Sequence, residues 1–287
     1  ATYNSTSGTT ADQGIGITNE LNFTASGEMD NGFTWSYSME LDPASGGAAN
    51  NDDTSIVIGM GDMGTVKVCV SECGNNKKYA FDASAYTKMS DTGFSEGIVY
   101  PGDAGAAGTA TIQYHTPELP FGTTASIAYN TQVAGDAASG NTTGQTTTAQ
   151  NSREEYSLVT KPLDGLTLSA HYNKVNDYAD GVATEDQLEE GGSYGGKYAA
   201  GNFTIGYGKS FQAPELLSSS ATGASVEYYE NTGYSIGYAV NDELSVSYTR
   251  ETSEANQAHS SNTTYDIEMD SVQFAYSLGG ATLSVAR

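Results

Sequence analysis

With 287 residues the chain is long enough for two ordinary domains or one large all-β unit. Eleven basic against thirty-five acidic residues give a formal charge of −24, which argues against nucleic acid and anionic surfaces as partners and favours cations. Twenty tyrosines, eight phenylalanines and a tryptophan argue against a disordered acidic chain, because such chains are poor in aromatics.

In chain order, the dominant signal is a period of two. Ala1 to Asn4 reads as the tail of a strand, and a loop-like stretch follows. Ile15, Ile17, Leu21, Phe23 and Ala25 then share one face, opposite Thr18, Glu20, Asn22 and Thr24. A short turn at 28–32 leads to Phe33, Trp35, Tyr37, Met39 and Leu41, which alternate with Thr34, Ser36, Ser38 and Glu40. A Gly/Asn/Asp loop is predicted over 43–53. Ile56, Ile58 and Met60 precede a turn at 61–64 and a strand at 65–70. Next comes a segment of no sustained period, about 72–106. Alternation resumes at 110–115, passes a Pro-Glu-Leu-Pro-Phe-Gly turn at 117–122, and continues through 125–129.

The second half repeats the scheme. A loop spans 132–150, then Tyr156, Leu158 and Thr160 lead to a turn at 161–165. Leu166, Leu168, Ala170 and Tyr172 follow, and an acidic loop covers about 175–191. Tyr194 and Tyr198, then Phe203, Ile205 and Tyr207, flank a turn at 199–202. Val226, Tyr228, Tyr234, Ile236, Tyr238 and Val240 are all even-numbered, so 224–240 is predicted as one long strand despite its Asn-Thr-Gly interruption. Strands around 244–248, 272–276 and 283–285 complete the list, with a polar loop at 252–262.

The connections alternate between short and long, as in an up-and-down antiparallel sheet with tight turns at one end. About fifteen strands can be counted, the first partial, in a single domain over 1–287. Closing such a sheet removes its edges. In a soluble sandwich or barrel the apolar face points inward; in a transmembrane barrel it points to lipid and the polar face lines water. A second face rich in Thr, Ser, Asn, Gly, Glu and Lys suits a wet lumen. No apolar run reaches the roughly 18 residues of a membrane-crossing helix. The expected fold is a transmembrane antiparallel β-barrel.

This pattern of amphipathic strands, short turns, long loops and one very long third loop resembles the Gram-negative general porins. The resemblance covers essentially the whole chain and lies in architecture. Tyr100-Pro101-Gly102-Asp103 is only faintly similar to that family's third-loop motif, and Arg287 stands where a terminal aromatic is usual. The resemblance implies 16 strands, and an even count needs one more than those visible. The last loop and strand, and part of the first strand, are then expected outside the given sequence. Ala1 in place of Met leaves open a removed signal peptide or an incomplete chain.

The resemblance further implies a homotrimer in the outer membrane, contacting the bilayer and lipopolysaccharide and passing small hydrophilic solutes and ions. It implies that loop 72–106 folds into the lumen. Its acids Glu72, Asp82, Asp91, Glu96 and Asp103 would then face wall residues of the polar parity: Lys67, His115, Arg153, His171 and Lys197, with Glu20, Glu40 and Glu155. Few wall bases among many acids lead to an expected cation preference.

Cys69 and Cys73 lie four apart. A zinc pair would need two more ligands, and the three histidines (His115, His171, His259) offer no usable spacing. A disulfide requires that the segment turn. Asp177, Asp180, Glu185 and Asp186 could ligate a structural Ca²⁺ or form a solvated acidic loop; no other cofactor is expected. No catalytic motif is present, so an enzyme is not expected. A substrate-selective channel of the same fold is the near alternative, and a soluble or surface adhesion protein the distant one.

Overall fold

The structure, a computed structural model, describes residues 2–4, 14–16, 21–43, 49–69, 84–85, 111–130, 152–176, 185–213, 216–217, 226–257, 265–279 and 282–286. Fourteen strands form one sheet: β1 (Leu21–Glu28), β2 (Thr34–Pro43), β3 (Ala49–Gly59), β4 (Thr65–Cys69), β5 (Thr111–His115), β6 (Thr124–Asn130), β7 (Arg153–Leu163), β8 (Leu166–Val175), β9 (Glu190–Ala200), β10 (Phe203–Ala213), β11 (Val226–Ala239), β12 (Leu244–Gln257), β13 (Tyr265–Ser277) and β14 (Thr282–Ala286). Each pairs antiparallel with its sequence neighbour, so the order is strictly up-and-down. No helix among the described residues is long and apolar enough to cross a membrane.

Two sequence expectations need correction. About fifteen strands were expected, and among the described residues the sheet has fourteen. Thr2–Asn4 pairs instead with Gly14–Gly16 in a separate ladder, and the first described strand of the sheet begins at Leu21. Several strands also outrun their periodic cores. β3 begins at Ala49 and β9 at Glu190, β7 runs over Arg153–Leu163, and β12 continues to Gln257. At these ends both faces are polar, so the alternation fades while the hydrogen-bond ladder continues. The stretch around 226–240 is a single strand, Val226–Ala239, as the unbroken parity predicts.

The tight connections share one end of the sheet. Gly165 turns β7 into β8 at φ +77, and a Cβ there would sit 2.2 Å from the Ala199 carbonyl oxygen. Gly165→Ala therefore meets a left-handed backbone and a clash with main chain together. It is expected to cost more than the ~1–2 kcal/mol of the left-handed penalty alone. Urea titration in lipid vesicles checks this; an unchanged midpoint would contradict it.

Burial is inverted relative to a water-soluble protein. Among the described residues no leucine, isoleucine, valine or aromatic is buried. The buried apolar side chains are Cys69, Ala128, Ala213 and Ala255, and the rest are polar, with Gln113, Gln212, Gln273 and Glu155 the largest fully covered ones. Along β5 the contrast is residue by residue: Thr111 is 0 % and Gln113 1 % exposed, whereas Ile112 between them is 53 % exposed. Such a surface is stable only against an apolar solvent.

The apolar band ends at a belt of charge and tyrosine toward the long-loop end. On β7, β8 and β9 the band stops at the register neighbours Glu154, Lys174 and Glu190. On β12 it stops at Arg250, whose register row runs back through Tyr234, Tyr207 and Gly196 to Leu168, still within the apolar part of β8. The boundary thus cuts obliquely across the rows, as a flat membrane surface cuts tilted strands. Phenols at the boundary donate upward to carboxylates: Tyr156 to Glu154 at 2.6 Å, Tyr172 to Glu190 at 2.7 Å and Tyr248 to Asp270 at 2.5 Å. Lys209–Glu230 and Arg250–Glu268 ion pairs at 2.5 and 2.7 Å continue the belt. Tyrosine with an apolar ring and a polar tip is the expected residue at such a boundary. Within the band, ring pairs Phe203–Tyr238 (4.5 Å) and Tyr207–Tyr234 (5.3 Å) join β10 to β11.

Candidate pore lining and constriction

The polar face is built from aligned register rows. One row runs Lys67, Gln113, Ala128, Glu155, Asn173, Gly191, Gln212 from β4 to β10. The next runs Thr65, His115, Ser126, Ser157, His171, Ser193, Ser210, Asn231, Ser253 from β4 to β12. These short polar side chains bond mostly to one another. His115 and Gln113 Oε1 lie 3.0 Å apart, Asn231 donates to Ser210 at 3.0 Å, and Ser126 bonds Ser157.

Glu155 and His171 stand in these two rows on adjacent strands. Glu155 Oε1 accepts from His171 Nε2 at 2.9 Å, and both side chains are fully buried. Two separate candidates from the sequence are thus one cross-strand pair, an arrangement only the β7–β8 register could reveal.

Lys67 and Lys197 lie on the same face and are half-buried, Lys197 opposite Thr167 and Gly206. Glu40 is on the polar parity of β2, in register with Asn22 and Asp52, beside an irregularity in the β2–β3 ladder. Arg153 pairs in backbone register with Asn130 and Val175. Glu251, half of no sequence expectation, is a further buried carboxylate of this face. Parity alone could have found it had the strand been followed past residue 250.

Glu20, Glu72, Asp82, Asp91, Glu96, Asp103, Asp177 and Asp180 lie outside the described residues. Glu185 belongs to a short ladder, Glu185–Gln187 with Leu216–Leu217. Among the described residues no group of three or more His, Cys, Asp or Glu could hold a metal ion. Cys69, at the end of β4, is disulfide-bonded, and Cys73 is the one other cysteine of the chain.

Two residues of the long β4–β5 connection are described, and both sit on the polar face of a distant strand. Ser84 and Thr249 hydroxyls are 3.0 Å apart, and the Ala85 amide donates to Ser247 Oγ at 2.7 Å. Ser247 and Thr249 are buried polar residues of β12. A loop leaving the wall at Cys69 thus touches the wall again eight strands further along the sheet order, on its polar side.

An apolar face toward lipid, a polar face away from it and a loop crossing between strands on the polar side define a membrane-spanning pore protein. The chain belongs to the Gram-negative porin family, whose profile matches residues 1–286. None of the curated proteins matches it. Its fold is similar to Salmonella typhi OmpF in complex with daunomycin, at 13 % identity, TM-score 0.63, covering 97 % of this chain and 84 % of that one. It is likewise similar to a refined porin structure, at 14 % identity, TM-score 0.63, covering 96 % and 87 %. A third is the in-vitro folded trimer form of OmpT from Vibrio cholerae, at 11 % identity, TM-score 0.62, covering 94 % and 80 %. The protein is an outer-membrane pore with a β-barrel wall, a channel rather than an enzyme.

Proposed function

We propose that the pore passes small hydrophilic solutes and ions by passive diffusion, prefers cations, and is narrowed by the 72–106 loop. The observation that carries the constriction is the Ser84–Thr249 and Ala85–Ser247 contact on the polar face of β12. A loop held there takes up cross-section that solutes would otherwise use. Exchanging Ser247 for alanine and Thr249 for valine removes both hydroxyls. Single-channel conductance in planar bilayers is then expected to rise; an unchanged conductance would overturn the constriction.

The cation preference rests on the overall charge of −24, thirty-five acidic residues against eleven basic. Charges lining a narrow aqueous path set ion preference. The reversal potential in a salt gradient tests this, and an anion-selective sign would refute it.

A homotrimeric assembly is part of the same reading, supported by family membership and by the trimer form of Vibrio cholerae OmpT. Lipid and lipopolysaccharide are the partners that the exposed apolar band and the charged belt above it would meet.

A further inference from the structure

The apolar side of β8, β9 and β10 carries an open groove of about 540 Å³. Its floor is the sheet itself at Gly196. In the outward register row Leu168, Gly196, Tyr207 the middle residue has no side chain, while both neighbours are large. Along β9 the outward positions on either side of Gly196 are Tyr194 and Tyr198, and Ile205 faces Tyr198 from β10. All of these line the groove. Leu168 is the nearest wall, its Cδ2 2.6 Å from where a Cβ on Gly196 would stand. The ladder is continuous beneath, with β9 paired on both sides, so this is a notch in the surface and not a gap between strands.

The surroundings decide what fills it. Leu168, Tyr194, Tyr198, Ile205 and Tyr207 are all exposed, and the groove is continuous with the apolar band that faces hydrocarbon. Lipid tails are as apolar as leucine, so packing is what distinguishes one tail position from another. In the row Ile236, Tyr248, Val272 every strand presents a large side chain, and a tail lies against it on one side only. At Gly196 a tail meets a floor and walls together, which multiplies its dispersion contacts. Gly196 is six residues past Glu190 and four short of Ala200, the two ends of β9, so the notch lies nearer the short turns. Lys209, facing Tyr194 at the loop-side rim, is already paired with Glu230 and is not set to recruit a headgroup phosphate.

We propose that this groove seats one acyl chain of a lipid in the leaflet on the short-turn side. The proposal rests on the lipid contact inferred above and gives it a place on the wall.

The test folds the full chain into phosphatidylcholine vesicles doped with a phosphatidylcholine that carries a mid-chain diazirine. After photolysis the labelled peptides are mapped. Label on Leu168, Tyr194, Tyr198 and Tyr207 is expected to exceed that on Ile236, Tyr248 and Val272 by about two- to fivefold, the scale that a few added dispersion contacts give. Gly196→Leu, which fills the notch, is expected to bring the two regions level. The tyrosines remain in that variant, so the loss reads the groove and not ring chemistry. If Gly196→Leu does not fold, combining it with Leu168→Ala removes the atom met at 2.6 Å and still fills the notch. Even labelling in the wild type, an excess that survives the filled notch, or a groove that is protected because a second copy covers it each overturn the seat. A folded chain that takes no label anywhere on the apolar band overturns the lipid contact beneath it.

Discussion

Replacing His171 with alanine is expected to lower the folding free energy by about 3–5 kcal/mol, the cost of removing one member of a buried charge-assisted pair. Glu155 and His171 are 2.9 Å apart with both side chains fully buried, so little solvent screens the loss. The effect comes from the carboxylate, which stays buried with one hydrogen bond fewer. Glu155→Gln in the same chain should therefore recover most of the stability, because a neutral amide costs far less to bury than a charge. Urea-dependent folding into lipid vesicles measures both. A single replacement costing under about 1 kcal/mol would show that the pair is hydrated or dispensable.

The second large effect is on the opposite face. Ile236 lies in a row of apolar residues, Ile205, Ile236, Tyr248 and Val272, and is 44 % exposed. Ile236→Arg is expected to destabilise by about 2–4 kcal/mol, the cost of a cation at the bilayer midplane on a barrel's lipid face. In a water-soluble protein so exposed a position would tolerate arginine within about 0.5 kcal/mol. The two values separate a membrane barrel from a soluble one on a single residue. Thr232→Arg, on the same face of β11 but in register with Lys209 and Thr252, should cost much less, because charge already occupies that level at Lys209 and Glu268.

What was legible in the sequence is what depends on parity. The alternation of Ile112 with Gln113 and of Leu158 with Ser157 fixed which residues share a face. The Thr, Ser, Asn, Gly, Glu and Lys of the second face suited a wet lumen, which left the apolar face for lipid. Strand ends were harder to read, because above the membrane boundary Glu230, Glu254 and Asp266 replace the apolar partners and the period disappears. The Glu155–His171 pair was invisible for another reason. Both residues were assigned to the wall, but only cross-strand register makes them neighbours. The Ser84–Thr249 contact joins residues too far apart in sequence for any local pattern to connect them, and serine and threonine carry no distinguishing signal.

The polar face is buried from lipid because it encloses a water-filled path, and electrical conduction tests this most directly. The purified chain, folded as judged by its heat-sensitive mobility, is added to a planar bilayer in potassium chloride. Discrete upward current steps of uniform size, with a reversal potential of cationic sign under a salt gradient, are the predicted result. A folded, inserted chain that leaves the bilayer insulating would contradict it.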